Sequence, residues 1–250
     1  EPSDAPANDG MPDASRDLTS ELVKLVQAMQ EIKSEEDSRV NSYEIFVNQK
    51  QTHIRNSRGV DVTFSGFDCE IEVVTNSRKD DHEIEIYKDL RFSDKSAEKI
   101  IAEVRGMFHT GRQRLNAVPT RQNEHADVLL TGNAVGSFFQ YFAMHTNASY
   151  QYMGVAKAKI GEAITGADAD PLNIRLVPTL DGSAKNAPYD ETGMPVAERV
   201  LFENGICRSY WGSLQHAHYI GMKDTTSMNN MVVEGGSKTL DELRSMPHIE

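Results

Sequence analysis

Apolar residues recur along the first half of the chain in two rhythms, and the change from one to the other marks out its elements. Leu22, Val26, Met29 and Ile32 return at helical spacing, with Glu21, Lys24, Gln30 and Lys33 opposite them, which predicts a helix with Asp17 as N-cap. The acidic stretch 34–37 ends it. From Asn41 the period falls to two: Tyr43, Ile45 and Val47 alternate with Glu44, Phe46 and Asn48. A second strand is expected near 53–56, then the turn signal Ser57-Arg58-Gly59. Val60, Val62 and Phe64 resume the alternation, Gly66 punctuates it, and Cys69, Ile71 and Val73 continue it. Ile84 and Ile86 follow the polar turn 76–81. The pattern predicts a meander of four or five antiparallel strands.

Ser96 then caps a helix carrying Ile100, Ile101, Val104 and Phe108. Helix, strands, helix is an α+β order, with helices packed on one face of an antiparallel sheet. The polar joint 116–124 separates this domain, 17–118, from a second one, 124–250, while 1–16 reads as a flexible leader. The second domain is expected to be mostly β with short helices. Its predicted elements are a buried strand 126–130, an apolar helix 134–144 and strands at 174–177, 200–202 and 206–211. Asn204-Gly205 is a strong hairpin signal, since both residues tolerate positive φ. Short helices are expected at 213–220 and 240–246.

Hydrophobic residues make up 38% of the 250, enough for a packed core, and the formal charge is −12. That balance argues against direct nucleic-acid binding, which needs clustered Lys and Arg; the short basic run 105–114 reads as a solvated helix edge. Cys69 and Cys207 lie far apart without CxxC spacing and read as buried structural thiols rather than a disulfide. No apolar run is long enough to cross a bilayer, so no membrane contact is expected. The sequence starts at Glu1 with no signal peptide, which implies upstream trimming or a start within a longer protein, and cytoplasm is the default location.

Several short motifs occur in a fixed order. They are Asn56-Ser57-Arg58-Gly59, Lys159-Ile160-Gly161-Glu162, Tyr189-Asp190-Glu191-Thr192-Gly193-Met194-Pro195, Leu201-Phe202-Glu203-Asn204-Gly205, and then Ile220-Gly221. In that order the chain resembles the TldD/PmbA family over roughly 43–243, with Thr192 standing where the family has Glu. Family members are longer, and the resemblance covers their middle and later part.

The metal-bearing branch of that family carries His-Glu-x-x-x-His on the helix after the 126–130 strand, in the manner of a zinc protease. Zinc takes neutral imidazoles there, and the Glu deprotonates metal-bound water. Here the stretch reads Gly132-Asn133-Ala134-Val135-Gly136-Ser137. Gly132 and Ser137 replace the two His ligands and Asn133 replaces the base, so the zinc motif is degenerate. The family's remaining Cys ligand falls beyond Glu250, and Cys207 does not correspond to it.

Other candidates are weighed against plainer readings. His216 and His218 at i,i+2 share a face on a strand but point about 200° apart on a helix, so a surface pair outweighs a metal site or an independent hydrolase centre. His125 and His145 flank the degenerate motif, and His145 reads as a satisfied polar residue. Asp190 and Glu191 form a structural loop in preference to an acid/base pair, and the Phe138, Phe139, Tyr141, Phe142 cluster reads as core.

The resemblance implies the metal-free, PmbA (TldE)-like subunit of a TldD/TldE-type peptidase that cuts or matures extended peptides. It places zinc in a TldD-like partner and no cofactor in this chain, makes the partner that subunit or a second copy, and leaves the family's label of DNA gyrase modulator indirect. The alternative is a non-enzymatic homodimeric binding or scaffold protein.

Overall fold

Helix α1 (Leu18–Gln30) begins where the Asp17 carboxylate accepts the N–H of Thr19 at 3.0 Å and of Ser20 at 3.3 Å. These donors would otherwise be unsatisfied in the first turn; the Ser20 hydroxyl first, at 2.6 Å, and then the two N–H groups hold the Asp17 carboxyl below its usual range. The computed structural model describes residues 16–119, 122, 125–166 and 169–246; the leader up to 15 lies outside them. The buried face of α1 is Leu25, Ala28 and Met29, with Leu18 and Ile32 packed beside it. Leu22, read from the sequence as part of the apolar stripe, is 39% exposed. On a helical wheel the contacting face is centred about 80° from the Leu22–Val26 side. Leu18 and Leu25, which the four-residue stripe left out, define that centre.

Three strands follow: β1 (Ser38–Arg55), β2 (Asp61–Lys79) and β3 (His82–Phe92), antiparallel in the order β1-β2-β3. This corrects the expected four or five strands. Gly66 does not interrupt β2; it lacks positive φ and stays in register opposite Lys50. The one irregularity between β1 and β2 is a shift between Val40 and Ser42. True turns occur where side chains can hold them. Asn56 Oδ1 accepts the N–H groups of Arg58 (2.8 Å) and Val60 (3.2 Å), and Gly59 has φ 91°. Two residues, Asp80 and Asp81, link β2 to β3.

Register places Val47, Cys69 and Phe92 in one row, and Ile45, Ile71 and Leu90 in the next, all on the face covered by helices. Helix α2 (Ala97–Leu115), capped by Ser96 Oγ on Lys99 N–H, adds Ile100, Val104, Met107 and Phe108 to that core. Gly111 permits its close approach: a Cβ there would lie 2.8 Å from the Ser77 Cβ and closer still to its hydroxyl. The buried Ser77 hydroxyl shares a 2.8 Å hydrogen bond with that of Ser38. The segment Thr179–Asn186 belongs to this unit, where Ser93 N–H donates to the Gly182 carbonyl at 2.8 Å.

The second unit runs from Gln122 and contains α3 (Asn133–His145), α4 (Ala148–Tyr152), β4 (Ile174–Val177), β5 (Arg199–Glu203), β6 (Ile206–Cys207), α5 (Leu214–Tyr219), β7 (Asn230–Val233) and α6 (Leu240–Ser245). Its four strands form an antiparallel sheet in the order β6-β5-β4-β7. The chain is thus α+β: an antiparallel sheet with helices on one face, then a second antiparallel sheet with short helices. Asn204 (φ 51°) and Gly205 (φ 77°) make the expected hairpin. The following strand is shorter than expected, because Trp211 leaves the sheet and donates its N–H to the Thr146 carbonyl at 3.2 Å.

Residues 126–130 are not a buried strand. Val128 is 63% exposed, Leu130 is also exposed, and pairing there is limited to a single bridging residue, Val128. Apolar alternation makes a strand only where a neighbour supplies hydrogen bonds and cover. Neither α4 nor β7 stood out in the hydrophobic pattern; both are short and held by long-range contacts. Among the described residues, no helix is long and apolar enough to cross a membrane.

Candidate functional site

Helix α3 begins at the stretch that the sequence reading aligned with a zinc motif, and its N-terminus is built from backbone alone. Gly132 takes φ 57°, ψ −135°, a region open to glycine and strained for residues with a Cβ, and it supplies no side-chain cap. Asn133 is the first helical residue, Ser137 lies one turn on, and all three positions are exposed. Positions 133 and 137 share a helix face at i,i+4. Position 132 lies outside the helix and follows no helical direction. Neither glycine, nor an amide, nor a hydroxyl offers the imidazole and carboxylate groups that zinc chemistry requires, so these residues do not fit the metal. Among the described residues, no three His, Cys, Asp or Glu side chains gather as a ligand set.

At the far end of α3, His145 is buried, and its Nδ1 accepts the Lys157 N–H at 3.2 Å. Tyr141 and Tyr150 meet its ring edge-on, with centroids at 4.4 and 5.9 Å. Burial, then the Lys157 charge, lowers its pKa. Eight residues of α-helix separate it from Ser137, about 12 Å along the axis, so it cannot complete a site at the motif. His125 is exposed. His216 and His218 lie on α5 as the helical reading expects; His216 Nδ1 is 2.9 Å from Ser213 Oγ and its ring neighbours Tyr152 and Tyr219.

The aromatic cluster on α3 is only half core. Phe139 and Phe142 pack on the second core with Ile174, Leu201, Phe202 and Trp211, whereas Phe138 is 50% and Tyr141 45% exposed. Residues three or four apart share a face, and this short helix is apolar on more of its circumference than one sheet can cover. Cys69 and Cys207 are both buried and unpaired, and burial pushes each thiol up to about 11, so both are inert structural groups.

The remaining motif residues are turns that the fold brings together in part. Gly161 (φ 86°) donates its N–H to the Cys207 carbonyl at 2.9 Å, and Ile164 N–H donates to Gly205, so 159–162 runs beside the β5–β6 hairpin. Asp190 organises its own loop: Oδ1 accepts from Thr192 N–H (2.8 Å), Thr192 Oγ1 (2.7 Å) and Met194 N–H (3.0 Å), with Gly193 at φ 81°. The Thr192 hydroxyl thus adds a bond to the turn. The same loop borders a cavity of about 440 Å³ with Trp211, Met228 and Asn229, which sequence reasoning did not single out. The lone Trp of the chain was the available signal. Asn56 and Gly59 lie in the first unit, in the β1–β2 turn.

Residues 123–248 match the family model of the PmbA/TldA metallopeptidase C-terminal domain. The chain belongs to the PmbA/TldD family. It is similar in structure to TldE from Thermococcus kodakarensis, with a TM-score of 0.72 at 18% identity over 97% of this chain and 58% of that one. A Thermotoga maritima protein described as a candidate modulator of DNA gyrase gives a TM-score of 0.74 at 16% identity, over 96% and 58%. A Bacteroides thetaiotaomicron protein of like description gives 0.65 at 16%, over 99% and 59%. At these identities the likeness is one of fold, and the PmbA/TldD chain described here spans 58–59% of the length of those structures. A search of curated proteins returns no match.

Proposed function

We propose that this PmbA/TldD-family chain is a TldE-like, metal-free subunit that works with a zinc-bearing, TldD-like partner to cut or mature extended peptides. What supports the reading is the start of α3, where Gly132, Asn133 and Ser137 stand in the stretch that the family resemblance aligns with two zinc ligands and a base. No step of bond cleavage is assigned to its own residues. Val135, Phe138 and Tyr141 of α3 are exposed, as are Val128 and Leu130 ahead of it, and apolar side chains left open in this way support a subunit contact. In this reading zinc belongs to the partner.

The test is reconstitution with a TldD-like protein from the same source. Co-elution as a stoichiometric complex and chelator-sensitive cleavage of unfolded casein, absent from either chain alone, is the expected result. A stable homodimer that ignores the zinc-bearing protein would replace this reading with the scaffold one. Chelator-sensitive cleavage by the rigorously pure chain would overturn both.

A further inference from the structure

The cavity beside the Asp190 loop has a composition that names its occupant. Its floor is apolar and fixed. Tyr189 and Trp211 are largely buried, and the Trp211 indole N–H donates to the Ala143 carbonyl at 2.8 Å. Met228 is partly buried against the same core and supplies an adaptable thioether wall. Three loops frame the opening and are tied down by hydrogen bonds within and between them. Asp190 Oδ1 closes the first; Gly212 N–H to Thr226 and Thr225 Oγ1 to Gly212 hold the second; Asn229 Nδ2 to the Ala187 carbonyl, at 3.2 Å, anchors the third.

Charge then decides between ligands. The rim carries two carboxylates, Asp190 and Glu191, and none of the lining residues is Lys or Arg. Asp190 commits Oδ1 to its loop, which leaves Oδ2 available; Glu191 is exposed and forms no ion pair within the described residues. An apolar floor under an uncompensated acidic rim suits a side chain with a long hydrocarbon stem and a cationic end. The hydroxyls at the mouth hold the rim in shape: Thr192 Oγ1 donates to Asp190, Ser227 Oγ to Asn229, and Ser213 Oγ pairs with His216. At about 440 Å³ the space holds such a side chain with its flanking backbone.

We propose that this cavity binds a lysine or arginine side chain presented by an extended peptide. The proposal draws on the peptide-handling reading only for the carrier, and its test uses neither a zinc subunit nor cleavage, so the two stand or fall separately. Trp211 is the only tryptophan, so intrinsic fluorescence of the full chain reports on the cavity directly. The probe is acetyl-Ala-Ala-Arg-Ala-Ala-amide, titrated beside its Leu and Glu counterparts and free spermidine.

The Arg peptide should shift the emission saturably, more weakly as salt rises, while the Leu and Glu peptides do not. Glu191→Gln should weaken binding about three- to fivefold, the range of an exposed ion pair, and Glu191→Lys should weaken it further. Glu191 is exposed, so both variants keep the fold, which circular dichroism checks. Four outcomes overturn the proposal: no saturable change up to about 5 mM, an equal response to the Leu peptide, unchanged affinity in Glu191→Lys, or spermidine binding as tightly as the peptide.

Discussion

The N–H of Lys157 donates to Nδ1 of His145 across 3.2 Å, joining the end of α3 to the segment beyond α4. The bond requires an unprotonated Nδ1, and burial, then the Lys157 charge, favours that neutral form by lowering the His145 pKa. A His depressed in the folded state contributes stability that is present above its unfolded pKa and lost as pH falls through the folded one. The melting temperature should therefore fall between pH 7 and pH 5. His145→Gln, which offers an acceptor that does not titrate, should flatten that slope, as thermal melts at both pH values would reveal. An identical slope in the variant would remove His145 from the account.

Gly111 and Ser77 make a second test, with an internal control. Alanine normally stabilises a helix interior over glycine by about 1 kcal/mol. At Gly106, where a Cβ meets nothing within 4 Å, that gain should appear in urea unfolding. At Gly111 the added Cβ strikes Ser77, so Gly111→Ala should destabilise by about 1–3 kcal/mol, the cost of overpacking. Adding Ser77→Gly should recover part of that loss.

Asp190→Ala removes the acceptor of three bonds inside one loop. Amide exchange of Thr192 and Met194 should accelerate strongly while β4 and β5 keep their protection. Global stability should fall by no more than about 1–3 kcal/mol. Uniform acceleration across the unit would mean that the loop supports the whole sheet.

Introducing a zinc motif at the start of α3 should not create zinc chemistry. The triple variant Gly132→His, Asn133→Glu, Ser137→His puts a side chain at φ 57°, outside the helix, and α3 runs as regular α-helix from Asn133 with no widened turn to converge the two imidazoles. Two His also fall short of the three protein ligands usual at catalytic zinc. Calorimetry should find weak zinc binding at best, and a peptide assay no cleavage. Tight one-to-one binding would show that a third ligand lies within reach after all.

Phe138→Asp addresses assembly. Its ring is half exposed, so the substitution should leave the fold intact while destroying any apolar subunit contact through α3. Sedimentation at micromolar concentration should show the parent chain as a dimer, or a heterodimer with its partner, and the variant as a monomer. A parent that is monomeric at every concentration and with every candidate partner would sink the interface.

What the sequence settled by itself was local. Asp17 and Ser96 announced two helix starts because a side-chain acceptor satisfies backbone donors within three residues. Asn204-Gly205 announced a hairpin because few residues accept two successive positive φ angles. The order of short motifs identified the family. Tertiary structure decided everything that depends on a neighbour. Gly66 stayed inside a long strand because Lys50 pairs with it. Val128 ended exposed in spite of its apolar pattern, and half of the α3 aromatics turned outward because one sheet covers only one side of a helix. Trp211, Met228 and the Asp190 loop became one cavity only through contacts spanning tens of residues. Periodicity and capping act over a few bonds and can be read along the chain, whereas burial is a property of surfaces that meet only after folding.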